Sequence, residues 1–123
     1  MNDSERKLLA HQIREINSEN ILNGLIETLM FRAERASMDL SKRELIRRGD
    51  KIICPREFCT DPNILGTLIY KLSELGIDYS ITHDSNKLIC FKVSMENGEI
   101  QCPSDSLGRS LVRATIIKKL CYD

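Results

Sequence analysis

The sequence contains no apolar run long enough to cross a lipid bilayer. None of its 123 residues belongs to a stretch approaching the ~18 to 20 apolar residues of a membrane helix. The first residues, from Met1 to Lys7, are charged from the start and lack the apolar core of a signal peptide. The length fits one domain. We therefore expect a single cytoplasmic domain spanning residues 1–123, with no membrane partner.

The chain also lacks a net charge, because 18 basic residues balance 18 acidic ones. Proteins that bind nucleic acids broadly draw most of their affinity from a basic excess, so this balance argues against a nucleic-acid partner. It leaves room for a local basic pocket that binds a small anion. The basic run from Lys42 to Arg48 is one candidate for such a pocket, and a solvated helix face is its alternative interpretation.

Histidine is scarce, and the cysteines are not spaced as metal ligands usually are. There are two histidines and five cysteines, with no Cys-x-x-Cys pair. A zinc site from Cys54, Cys59 and Cys102 is the alternative to small buried thiols in a reducing compartment. The spacing favours buried thiols, and we expect no metal and no cofactor.

Familiar catalytic signatures are missing as well. The chain has no G-x-S-x-G, no H-E-x-x-H and no Gly-rich phosphate loop. The one adjacent acid–base pair, His83-Asp84, falls in a predicted turn, where solvation explains it better than catalysis. The sequence therefore favours a binding protein over an enzyme, although sites assembled in space leave an enzyme open.

The first 49 residues predict a helical arm. Ser4 is a candidate cap for a first helix, and apolar residues at three- and four-residue spacing predict a second helix from Ile21 to Leu40. Ser41 begins a predicted short basic helix, Lys42 to Arg48, which Gly49 ends. Residues 50–123 predict an α/β core in the order β-α-β-β-β-α, with Pro62 opening a helix and Asn97-Gly98 forming a hairpin turn. The predicted fold class is α+β, in which the arm packs on a small, mainly antiparallel sheet.

The last predicted helix carries two apolar stripes on roughly opposite sides. A surface helix of a monomer needs only one stripe, so two stripes predict that this helix packs on its own sheet and on a neighbouring subunit. We therefore expect the protein to associate with copies of itself. The stripes are Leu107, Leu111, Ala114, Ile117 and Cys121 on one side, and Val112, Ile116 and Leu120 on the other.

The start of the same helix has the composition of a phosphate site. Arg109 and Arg113 share a face, and Ser104, as the predicted cap, and Ser106 present hydroxyls at the helix N-terminus, where anions are favoured. Gly108 would let a ligand approach the backbone. These features predict a diphosphate pocket at a subunit seam, and the alternative is that both arginines are solvated or pair with Asp or Glu.

Aromatic residues in the predicted sheet offer a second contact for a nucleotide. Phe91 and Tyr79 could stack on a base, although at strand spacing such residues more often belong to the core.

The stretch from Asp61 to Leu120 resembles the α-β-β-β-α pattern of phage ABA-sandwich domains. The resemblance is carried by Thr60-Asp61-Pro62, by the Leu72–Ile77 junction, by the strand through Cys90-Phe91 and by the final helix from Leu107 to Ala114. With its arm and its length, the chain is similar to phage Thoeris anti-defence sponge proteins. Members of that group bind cyclic ADP-ribose signals without cleaving them.

The resemblance implies a function, an assembly and a set of site residues. The function is sequestration of a cyclic ADP-ribose-type immune signal, with cyclic oligonucleotides at a second site in some members. The assembly is a dimer, or a hexamer built as a trimer of dimers. Arg109 and Arg113 match the phosphate-contacting arginines, and Phe91 is the predicted base-stacking residue. The alternatives are an oligomeric adaptor that binds nucleic acid or protein through residues 42–48, and a small nucleotide-acting enzyme.

Overall fold

The computed structural model describes residues 1–36, 43–96 and 98–123. These residues form four helices and two three-stranded antiparallel sheets, so the predicted α+β class is confirmed. In chain order the elements are α1 (Asp3–Arg14), α2 (Glu19–Met30), β1 (Glu34–Arg35), β2 (Ile46–Arg48), β3 (Lys51–Ile53), α3 (Pro62–Glu74), β4 (Tyr79–His83), β5 (Ile89–Met95), β6 (Gly98–Gln101) and α4 (Leu107–Cys121).

The helical arm differs from its prediction at the start of α1 and at the end of α2. Asn2, rather than Ser4, caps α1, because the Asn2 side chain accepts the Glu5 N–H. The second helix ends at Met30, ten residues before the predicted end at Leu40, which lies outside the described residues. Arg32 takes a left-handed φ of 60° and turns the chain, so that the Ala33 N–H returns to the Glu27 carbonyl.

The predicted basic helix is wrong where the structure describes it. Ile46–Arg48 form strand β2, which pairs with β1 on one side and with β3 on the other. Ile46 is buried while Arg47 is exposed, which is the alternation of a half-buried strand. Ser41 and Lys42 lie outside the described residues. We refer to β1-β2-β3 as sheet A.

Strands β4, β5 and β6 form sheet B, as the alternation of apolar residues predicts. Of the predicted Asn97-Gly98 turn, Gly98 is the first residue of β6 and pairs with Met95, while Asn97 lies outside the described residues. Phe91 and Val93 of β5 point to the same side of the sheet as their partners Ile81, Tyr79 and Ile100. Phe91 and Val93 are fully buried, so this side faces the core. The first strand of the predicted β-α-β-β-β-α order is β3, but it belongs to sheet A and not to sheet B. Strands β1 and β2 were not predicted, and the order from α3 to α4 is the predicted α-β-β-β-α.

Helix α4 lies at the centre of the core. One side contacts sheet B, where the Ser110 hydroxyl accepts the Phe91 N–H at 2.8 Å. Another side contacts α1 and α2. Val112 and Ile116 of the second apolar stripe are therefore buried within the same chain. The two stripes do not require a neighbouring subunit. They therefore no longer support the prediction of self-association. Within the described residues no helix is long and apolar enough to cross a membrane.

Candidate anion-binding site

Arg109 lies near the start of α4 and is held by two carboxylates. Its Nε and Nη2 donate to Glu19 at 2.9 and 2.5 Å, and its Nη1 donates to Asp105 at 2.9 Å. The hydrogen bonds and charge of Glu19, with the charge of Asp105, raise the pKa of Arg109 further. The side chain remains 34% exposed. For Arg109, this structure therefore shows the alternative interpretation, in which the arginine pairs with acidic residues.

Arg113 lies one turn further along α4 and has no carboxylate partner in the described part of the chain. Its Nη2 donates to the carbonyl of Ile16, in the link between α1 and α2, at 2.9 Å. Its Nε is buried and makes no hydrogen bond. Leaving a buried donor unpaired costs about 1–3 kcal/mol. Arg113 is thus a half-buried cation with unused hydrogen-bonding capacity.

Ser106, rather than Ser104, caps α4. The Ser106 hydroxyl accepts the Arg109 N–H at 3.2 Å. Ser104 is buried and exchanges two backbone hydrogen bonds with Ile89 beside sheet B. Its hydroxyl accepts the Ser106 N–H and donates to Asp105. The structure therefore places Ser106 against Arg109, with Ser104 next to Asp105 and Ser106, and both serine hydroxyls are used within the chain.

The space beside Gly108 is filled by the chain itself, which corrects the prediction that a ligand approaches here. A Cβ added to Gly108 would lie 2.0 Å from the carbonyl oxygen of Cys59. Gly108 is therefore required by the close approach of α4 to the 55–59 segment. That segment is also bound from the other side, where the Asn23 side chain accepts the Cys59 N–H at 3.2 Å.

Phe91 is separated from the arginines and lies in the core. Its side chain is 0% exposed, and its ring stacks on Tyr79 with centroids 5.0 Å apart. A buried ring offers no face to a nucleobase, so the structure corrects the prediction that Phe91 stacks on a ligand. The alternative interpretation of Phe91 and Tyr79 as core residues describes this sheet.

Sequence reasoning missed a buried ionic cluster around Glu27. This carboxylate is 0% exposed and accepts hydrogen bonds from Arg48 of β2, from the backbone N–H of Arg56 and from the Arg56 guanidinium. The Arg56 guanidinium also lies over the rings of Phe31 and Phe58, 4.5 and 5.1 Å from their centroids. We call Glu27, Arg48, Arg56, Phe31 and Phe58 the Glu27 cluster. The available signal was that Asn23 and Glu27, four residues apart, interrupt the buried side of α2.

The charges of Arg48 and Arg56 determine the protonation state of the Glu27 carboxyl. Burial by itself raises the pKa of a carboxyl, but hydrogen bonds and charges from Arg56 and Arg48 hold the pKa of Glu27 below its ordinary value of 4.5. Glu27 is therefore ionised at neutral pH. The cluster carries one negative and two positive groups, and it joins α2 to sheet A and to the 55–59 segment.

The cysteines behave as buried hydrophobes, apart from the exposed Cys54. Burial, with the nearby charge of Glu19, raises the pKa of Cys59 to about 12, and burial also raises the pKa of Cys90, Cys102 and Cys121. A thiol with a raised pKa is a poor nucleophile and a poor metal ligand at neutral pH. Among the described residues, no three His, Cys, Asp or Glu side chains are grouped as a metal site.

Comparison with known proteins gives no assignment: no family model matches this chain, and no curated protein or solved structure matches it either.

Proposed function

We propose that this protein is a phage counter-defence sponge that binds and sequesters a cyclic ADP-ribose-type signalling nucleotide without cleaving it. The observation that carries the proposal is the arginine pair of α4. Arg113 has a buried Nε without a hydrogen-bond partner, and Arg109 lies one turn away with its side chain 34% exposed. A diphosphate is the kind of group that two neighbouring guanidiniums bind, since each offers charge-assisted N–H donors.

Glu19 and Asp105 occupy the position that such a ligand would need at Arg109. Their carboxylate oxygens lie 2.5–2.9 Å from the guanidinium nitrogens, which is the geometry that phosphate oxygens would adopt. The ligand must therefore displace at least one carboxylate, or share Arg109 with it. Because Glu19 competes with the ligand in this proposal, its removal should strengthen binding.

The resemblance over residues 61–120 supports the same proposal. It implies the order α-β-β-β-α, and the described residues have this order from α3 to α4. The proposal does not use Phe91, because that ring is buried. Exposed apolar side chains, Leu8, Ile52 and Ile81 at 59%, 54% and 47%, are candidate contacts for the dimer or hexamer that the resemblance implies. Native mass spectrometry would measure the assembly and any retained ligand.

Calorimetry with a cyclic ADP-ribose isomer as the probe tests the arginine pair. We expect Arg113→Ala and Arg109→Ala each to weaken binding by at least about tenfold, since a charge-assisted hydrogen bond contributes about 1.5–3 kcal/mol. Glu19→Gln should strengthen binding several-fold. Arg14→Ala is the matched control, because Arg14 is an exposed arginine that donates to the Gln101 carbonyl. Unchanged affinity in both arginine variants would remove them from the site.

A release experiment separates the sponge from an enzyme. The protein is incubated with the cyclic nucleotide and denatured, and the nucleotide is then identified by mass spectrometry. A sponge returns the intact ligand, whereas an enzyme returns a product. Recovery of product at a rate that depends on protein concentration would overturn the non-catalytic proposal.

The second candidate is an adaptor that binds nucleic acid or protein through residues 42–48. The observation in its favour is that Arg47 of β2 and Lys51 of β3 are exposed on sheet A. Arg48 is less available because it pairs with Glu27. A salt titration of DNA or RNA binding distinguishes the two candidates, because phosphate-backbone binding weakens steeply with salt. Absence of binding at low salt would eliminate the nucleic-acid adaptor.

A further inference from the structure

Helix α3 has a glycine in its middle that nothing in the described chain requires. Gly66 is exposed, and a Cβ added to it would meet no atom within 4 Å. Its φ is not left-handed, so an alanine could adopt the same conformation. Glycine in a helix interior is destabilising relative to alanine. The fold therefore does not account for this residue, in contrast to Gly108.

A groove of about 450 Å³ lies over Gly66, between α3 and the ring of Phe31. This volume falls within the ~300–1,000 Å³ of small-molecule sites. Gly66 forms part of the groove lining, and Tyr70, which is 68% exposed, lies one turn further along α3. Phe31 is held in position by its stacking on Phe58, with ring centroids 5.5 Å apart. The groove thus has an aromatic residue from α3 and an aromatic residue from the end of α2.

Polar groups with unused hydrogen-bonding capacity also line the groove. Within the described chain, the side chains of Asn63, Tyr70 and Lys71 make no hydrogen bond or ion pair. An amide both donates and accepts, as the edge of a heteroaromatic ring requires. The lining carries the ammonium group of Lys71 and the carboxylate of Glu74, and Lys71 is the group that offers a positive charge to an anion. Aromatic rings supply stacking surface, which binds bases without requiring a particular sequence of hydrogen bonds.

We propose that this α3 groove is a binding site for a flat heteroaromatic ring with an anionic substituent, of the kind that a purine nucleotide presents. The ring lies against Gly66 between Phe31 and Tyr70, Asn63 contacts its edge, and Lys71 pairs with the anion. The missing side chain at Gly66 provides the clearance for the ring. This site is independent of the arginine pair, because Glu19 and Phe31 lie at opposite ends of the 12-residue helix α2, about 18 Å apart.

Titration calorimetry of the full chain with adenosine 5′-monophosphate tests the proposal, with adenosine and ribose 5-phosphate as partial ligands. We expect saturable binding of the nucleotide and weaker binding of each partial ligand. Gly66→Leu should weaken nucleotide binding by at least about tenfold because its side chain fills the groove, and Tyr70→Ala should weaken it by about tenfold because stacking is lost. Lys71→Gln should weaken binding of the nucleotide but not of adenosine.

Two control variants keep the outcome interpretable. Ser73→Leu adds a leucine to the exposed side of α3 outside the groove lining, and should leave binding unchanged. Arg14→Ala, which changes an exposed arginine outside the groove lining, should also leave binding of the monophosphate unchanged. Circular dichroism confirms that each variant is folded. Absence of nucleotide binding at about 1 mM, equal affinity for ribose 5-phosphate, or an unaffected Gly66→Leu variant would each overturn the proposal.

Discussion

The two sheets are attached to the helices by different forces. Sheet B contacts α4 through fully buried apolar side chains, among them Phe91, Val93 and Leu111. Sheet A has only short strands with one fully buried apolar side chain, Ile46, and it is joined to α2 through the buried Glu27 carboxylate and the guanidiniums of Arg48 and Arg56. Apolar packing tolerates changes of pH and salt, whereas a buried ionic cluster depends on every charged partner. The comparison predicts that the two regions respond differently to substitution.

The largest effect should come from the apolar side. Phe91→Ala removes a ring that is 0% exposed and should lower the free energy of unfolding by about 3–5 kcal/mol. Ile81→Ala is the matched control, because Ile81 is the β4 partner of Phe91 but is 47% exposed. Urea denaturation would measure both variants. Equal losses would mean that sheet B is not anchored through its buried side.

Removing the charge of Glu27 should have the next largest effect. Glu27→Gln leaves Arg48 and Arg56 without a carboxylate and should cost about 2–3 kcal/mol, less than in a dry interior because both arginines are partly exposed. Glu34→Gln, an exposed substitution on β1, should be close to neutral. Thermal unfolding would compare the two. A neutral Glu27→Gln variant would contradict the proposed attachment of sheet A.

The two contrasting glycines should give effects of opposite sign. Gly108→Ala forces α4 away from the Cys59 carbonyl and should cost about 1–3 kcal/mol. Gly66→Ala meets no atom and should stabilise the protein by up to about 1 kcal/mol, because alanine favours a helix. The same denaturation experiment measures both. Destabilisation by Gly66→Ala would show that the fold itself requires this glycine.

The smallest effect should be the part of the pH dependence that comes from Glu27. The pKa of Glu27 is lowered in the folded protein, so its contribution to stability is complete above the ordinary value of 4.5 and is lost as the pH falls through the folded pKa. Wild type should therefore lose more stability than Glu27→Gln as the pH falls below about 5. Thermal unfolding between about pH 6 and 3 would measure the difference. If the stability of the two proteins falls in parallel with pH, Glu27 is not the source of the pH dependence.

The sequence predicts one of these regions much better than the other. Between Pro62 and Cys121 the periodicity of apolar residues and the helix start at Pro62 place α3, sheet B and α4 close to where they lie. Between Phe31 and Arg48 the sequence predicts helices, because apolar residues at three- and four-residue spacing continue past Met30. The first predicted strand of the α/β core, by contrast, corresponds to β3. What ends the helix there is a turn at Arg32, and what forms β2 is pairing with β1 and β3 together with the Arg48–Glu27 contact. Such distant contacts leave no local pattern.

The predicted site residues show the same contrast between local spacing and contacts that are distant in the sequence. Local spacing correctly placed Arg109, Arg113 and Ser106 together at the start of α4. It did not reveal that Glu19, 90 residues earlier, pairs with Arg109, or that Cys59 fills the space beside Gly108. Both facts depend on how α2 and the 55–59 segment pack on α4. The residues of α4 alone predict which of its side chains lie together. They do not predict which of those side chains are covered or paired by other parts of the chain.

The central position of α4 also has a consequence for the order of folding. Its partners lie far away in the chain: Arg6 donates to the carbonyl of Cys121, and Arg109 pairs with Glu19. During synthesis, α1 and α2 emerge long before the helix that buries their apolar sides. Contacts so distant in sequence slow folding, because long loops must close before the contacts form. The nascent arm is therefore exposed until α4 arrives, and in this interval it is most vulnerable to aggregation and proteolysis.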